Sequence, residues 1–124
     1  MDLRMFYGRT LRDHKNYQAA AAEFWRVAQA KPEFADAWSE LAGMLILLEN
    51  YPQALAALDR VRTLGGETAG HHFFRAIILD KTRQYKPALE SYERFLATSD
   101  GKNTDQEFQA RQRIRILRKE LEKQ

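Results

Sequence analysis

Three of the five tyrosines in this chain, Tyr17, Tyr51 and Tyr85, stand 34 residues apart. The same period aligns Ala20 with Ala54 and Ala88, Phe24 with Leu58 and Tyr92, and Leu11 with Leu45 and Leu79. It also aligns the small residues Gly8, Ala42 and Ala76. A repeat of this length is one supersecondary unit that cannot bury its apolar face alone, so successive copies must stack. Seventeen alanines against six glycines and three prolines favour long helices over many short strands. The expected fold is therefore all-α, with each repeat a helical hairpin.

Small residues in the columns of Gly8 and Ala20 let paired helices approach closely, while the larger ones on the same faces fill the space between them. Turns are expected at Lys15-Asn16, Glu49-Asn50 and Arg83-Gln84. Pro52 and Pro87 follow two of them, where a first helical turn tolerates a missing donor. Helices are predicted over 2–14, 17–30, 34–48, 52–64, 68–82 and 86–98. Asp100-Gly101-Lys102-Asn103 breaks the sixth, and Thr104 with Glu107 reads as a capping box that opens a seventh helix to about Leu121. In that helix Ala110, Ile114, Leu117 and Leu121 form one apolar stripe.

These columns resemble the tetratricopeptide repeat, whose signature is Trp, Leu, Gly and Tyr followed by Ala, Phe and Pro. The middle unit carries Trp38, Leu41, Ala42, Leu45, Ala54 and Leu58; the first carries Gly8, Leu11, Ala20, Phe24 and Pro32. Departures are Arg4 and His72 in the Trp column, Arg75 in the Leu column, and Gly66 and Asp100 in place of the closing Pro. The resemblance implies a right-handed superhelical solenoid of three hairpins, at about 1–34, 35–68 and 69–102, closed by a capping helix over 103–124. It also implies that the first helix of each hairpin lines a concave groove that binds a peptide or helix of a partner protein.

On those first helices, steps of four and three set Met5, Arg9 and Arg12 on one stripe, then Ser39, Gly43 and Ile46, then Phe73, Ile77 and Asp80. Leu47 joins Ile46, Phe73 and Ile77 as the apolar middle of the expected groove, with Phe73 and Ile77 as anchors. Gly43 marks close approach by a neighbouring helix or by a ligand, because an interior glycine costs about 1 kcal/mol against alanine. One subset of the resembled family grips acidic chaperone tails through a carboxylate clamp. The clamp positions here hold Met5, Arg9, Glu40, Gly70 and Phe74, of which only Arg9 is basic, so that mode is rejected. Apolar anchors, with Arg9 and Arg12 meeting flanking groups, suit this lining better. Self-association is a further expectation, since a short array has open ends.

The alternative class is a nucleic-acid-binding module acting through the last helix, which carries Arg111, Arg113, Arg115, Arg118, Lys119 and Lys123. The chain holds 20 basic and 17 acidic residues, a net charge of +3. A charge run on a helix is ordinarily a solvated face, and the interleaved acids Asp105, Glu107, Glu120 and Glu122 support that reading. No cysteine is present, which removes disulfides, thiolate metal sites and a thiol nucleophile. His71 and His72 are adjacent and diverge by about 100° on a helix, so they and the distant His14 are read as neutral structural residues, with no metal ligated. No glycine-rich phosphate loop, nucleophile elbow or zinc-protease motif occurs. The expectation is a protein that is not an enzyme and uses no cofactor. The apolar run Leu41 to Leu48 is too short for a bilayer span, and Met1 to Thr10 lacks a leader pattern. A soluble protein is expected, with cytoplasm favoured slightly over other compartments.

Overall fold

The expected turns at Lys15, Glu49 and Arg83 adopt left-handed backbone, with φ of 62°, 59° and 63°. Each closes a helix with paired bonds: after Lys15 they run from Lys15 N–H to the Arg12 carbonyl and from Asn16 N–H to the Leu11 carbonyl. The same pairs recur at Glu49-Asn50, Arg83-Gln84 and Gly65-Gly66. This motif satisfies carbonyls that a helix end would otherwise leave bare. Residues other than glycine accept left-handed geometry at a cost of roughly 1–2 kcal/mol each.

A computed structural model describes residues 3–123. Seven helices follow one another: α1 (Leu3–Asp13), α2 (Tyr17–Ala30), α3 (Ala35–Leu47), α4 (Tyr51–Thr63), α5 (Ala69–Lys81), α6 (Tyr85–Ser99) and α7 (Thr104–Glu122). No strand occurs among the described residues. Tyr17, Tyr51 and Tyr85 each open the second helix of a hairpin, as the 34-residue comb requires. The chain divides into two compact units, residues 1–67 and residues 68–124, so α7 belongs with the third hairpin.

In the first unit, Ala20, Phe24, Ala28, Ala42, Ala54 and Val61 have no exposed surface. A Cβ at Gly8 would stand 2.6 Å from the Phe24 ring, which is why this column stays small. In the second unit the core joins Phe73, Ala76 and Ile78 of α5 to Ala88, Tyr92 and Phe95 of α6, with Ala110 and Leu117 of α7 fully covered. Burying each large apolar side chain contributes about 1.5–3 kcal/mol.

The start of α7 differs from expectation by one residue. Asn103, not Thr104, is the cap residue. The Glu107 carboxylate reaches back to accept from Asn103 N–H at 3.2 Å and from the Ser99 hydroxyl. Glu107 is thus buried at 5% exposure, although the sequence places it in a polar run. At α5 the cap is Thr68, whose N–H donates to Nδ1 of His71 at 2.9 Å. His71 thus serves as the capping partner of Thr68 at the start of α5.

Candidate functional site

In the first unit the face shared by α1 and α3 centres on Glu40. Arg9 Nε donates to it at 2.9 Å, and Arg12 Nη1 donates to both carboxylate oxygens at 2.9 and 2.8 Å. Arg12 also reaches Asp13 at 3.2 Å. Partial desolvation works against the charge on Arg12, but Glu40 and Asp13 outweigh it and raise its pKa. The two arginines expected to meet a partner's flanking groups are therefore already directed onto an internal acid, leaving one net positive charge among these three groups.

The rest of that face follows the predicted stripe unevenly. Met5 is 3% exposed and belongs to the core, which corrects its assignment as a groove residue. The position sits on the side of α1 that packs within the unit, where a flexible thioether fills space. Ser39 and Ile46 are half-buried, and Leu47 is 55% exposed. A Cβ at Gly43 would meet nothing within 4 Å, so no neighbouring helix requires this glycine.

In the second unit, Phe73 is also corrected. It is 4% exposed, with its ring 4.9 Å from Phe95 and 6.3 Å from Tyr92 in an edge-on arrangement. The hairpin partner helix, invisible in a single stripe, claims it as core. Ile77 remains half-buried and lines a cavity of about 640 Å³ formed by α5, α6 and α7. Opposite it stands Phe108 of α7, 61% exposed. Asp80 lies in the same cavity and is fully engaged: Arg113 grips it with Nε and Nη2 at 2.7 Å each, and the Tyr92 hydroxyl donates at 2.9 Å. Burial, then the bond to Asp80, push the Tyr92 hydroxyl far above its ordinary pKa. Donation to Asp80 raises that of Arg113, against a desolvation that lowers it. Lys81 and Arg83 complete the rim.

The structure thus brings Ile77 and Asp80 into one concavity and places Arg9, Arg12, Ser39, Gly43, Ile46 and Leu47 on elements of the other unit. Phe108, Gln112 and the Tyr92 hydroxyl were not singled out by the sequence, and Arg113 figured there only among the cations of the last helix. The available signal was the offset of Arg113 from Arg111 and Arg115, which turns it to another side of the helix. The remaining arginines of α7 divide too: Arg118 pairs with Glu93 at 2.9 Å, and Arg111 lies 3.6 Å from Glu107.

Comparison with known proteins agrees with this architecture. A family model described as tetratricopeptide repeat matches residues 11–68. No curated protein matches the sequence. Among solved structures, YrrB, described as a TPR protein with an unusual peptide-binding site, superposes with a TM-score of 0.78 at 17% identity. That match covers 92% of this chain and 56% of YrrB, so the chain spans little more than half of that protein. The first TPR domain of Spaghetti (RPAP3), bound to an HSP90 peptide, gives 0.79 at 16% identity and covers 96% of this chain and 90% of that one. The TPR2B domain of yeast Sti1, in a complex with an Hsp70 peptide, gives 0.78 at 15% identity, covering 96% and 99%. At such identities the likeness is one of fold. By the repeat model over residues 11–68 and by a fold shared across nearly its whole length, this chain is similar to tetratricopeptide-repeat proteins.

Proposed function

We propose that the protein is a non-catalytic interaction scaffold that takes a peptide or helix of a partner protein into the cavity lined by α5 and α7. The observation that carries this reading is the pairing of Ile77 and exposed Phe108 across about 640 Å³ of open space. Apolar anchors of this kind supply most of the energy of a peptide interface when a partner covers them. Asp80 and Arg113 neutralise each other beside them, so a partner's apolar side chain meets no unpaired charge there. Lys81 and Arg83 at the rim favour an acidic flank. The solved relatives that hold peptides support the class of ligand, while the face of Arg9, Arg12, Gly43, Ile46 and Leu47 is a second contact region in the same reading. Nucleic-acid binding is the weaker alternative, because Arg111, Arg113 and Arg118 all have acidic neighbours within the chain.

The test begins with isolation of the partner from native extract and titration of the purified pair. Phe108→Ala should weaken binding by about 2 kcal/mol while leaving the melting temperature unchanged, as truncation of an exposed anchor does. Indifference of the identified partner to Phe108→Ala would overturn the reading.

A further inference from the structure

The first unit holds a second concavity of about 600 Å³, bounded by α2, α3 and α4 and distinct from the α1 and α3 face described above. Its floor is apolar: Leu41 and Leu45 are 4% and 8% exposed. Its walls are low, because α2 presents Ala22 and α4 presents Ala56, both exposed. Trp25, 53% exposed, forms one side of the slot. The Trp38 indole forms another and is fixed by donation from Nε1 to the Pro32 carbonyl at 2.8 Å.

At the end of this slot stands Arg60. Its guanidinium carbon lies 5.2 Å from the centre of the Trp38 ring, and Nη2 reaches only the Pro32 carbonyl at 3.4 Å. No acid partners Arg60 among the described residues. It is the sole charged residue of the lining, two helical turns from Gln53 along α4, a separation of about 10 Å. A cation held over an aromatic face retains its charge and its outward donors for an incoming anion. The apolar floor, the indole walls and the single cation at one end together define the complementary ligand.

We infer that this slot binds an acidic segment of a partner protein, with a bulky aliphatic side chain lying over Leu41 between the two indoles and a carboxylate about one helical turn away meeting Arg60. The aliphatic group replaces water over the floor, and the carboxylate supplies the counter-charge that the protein does not. A nucleic acid would stack flat bases on the indoles instead of placing an aliphatic group over Leu41, so an oligonucleotide is the competing occupant in the test.

Trp25 and Trp38 are the two tryptophans of the chain, so intrinsic fluorescence reports on this slot. The probe is a synthetic helical peptide, free of aromatic residues, with a leucine and a glutamate one turn apart. Its titration should shift tryptophan emission and saturate. Affinity measured by calorimetry should fall about fivefold to tenfold for Arg60→Gln, and equally when the peptide's glutamate becomes glutamine. Ala56→Glu, at an exposed position, should block binding with helicity unchanged, whereas Phe108→Ala should leave it unaltered. Absence of saturable binding, binding without a change in emission, or equal affinity for the glutamine peptide would each overturn the inference. So would binding that survives Ala56→Glu, or an oligonucleotide that displaces the peptide and binds more tightly.

Discussion

Two glycines in equivalent helices obey opposite rules. At Gly8 a Cβ would be driven into the Phe24 ring at 2.6 Å, and that ring has no exposed surface into which to retreat. Gly8→Ala should therefore destabilise by about 1–3 kcal/mol, the cost of overpacking a close contact. At Gly43 nothing lies within 4 Å, and the residue carries only the conformational penalty of a helical glycine. Gly43→Ala should stabilise by about 0.5–1 kcal/mol. Denaturant titration of both variants against the parent checks the pair, and equal effects in the same direction would refute the contrast. The sequence placed Gly8 in a packing column and left Gly43 to a neighbouring helix or a ligand, and only the packing shows that nothing lies beside Gly43. The same limit explains Phe73 and Ile77. Four residues apart on one stripe, they look alike, yet Phe95 and Tyr92 cover the first while the second opens to the cavity.

Helices and their ends were the most legible level, since each is set by local chemistry. Lys15, Glu49 and Arg83 mark left-handed turns that recur with the repeat, and every helix boundary lies within one residue of its expected place except the start of the first helix, expected at residue 2, which lies outside the described residues. The cap of α7 was displaced because Asn103 and Thr104 both suit it, and the choice depends on where Glu107 finds its donors. Donation from the Ser99 hydroxyl, then from Asn103 N–H, holds the Glu107 carboxyl below the ordinary glutamate range. A folded-state pKa below the unfolded one contributes stability that is present above the unfolded value and is lost as pH falls through the folded value. Acidification through and below the ordinary glutamate range should therefore lower the melting temperature. Glu107→Gln should flatten that acid limb when melts are followed by circular dichroism at constant ionic strength. Parallel acid limbs for the two proteins would remove Glu107 as the cause.

At the scale of the whole array, α7 has two duties that its sequence shows unequally. The stripe of Ala110, Ile114, Leu117 and Leu121 announces a cap, and the first three are buried while Leu121 is half-buried. Its other duty, delivering Arg113 to Asp80 and Phe108 to the cavity, depends on which way α7 lies against α5 and α6, and no spacing along the chain specifies that. A repeat array must end on a helix whose outer face tolerates water, or its last apolar face is left open. Removing residues 104–124 should thus uncover α6 around Leu89, Tyr92 and Phe95 and also leave Asp80 without its guanidinium partner. The truncated protein should melt at lower temperature and aggregate on heating, as exposure of a contiguous apolar face dictates. Arg113→Ala separates the two contributions, because it breaks the ion pair while keeping the apolar cover. A substantially smaller loss of stability for Arg113→Ala than for the truncation identifies burial as the main term. A truncated protein that stays monomeric and melts like the parent would mean that α7 is not a cap, and that its arginines are available to a partner.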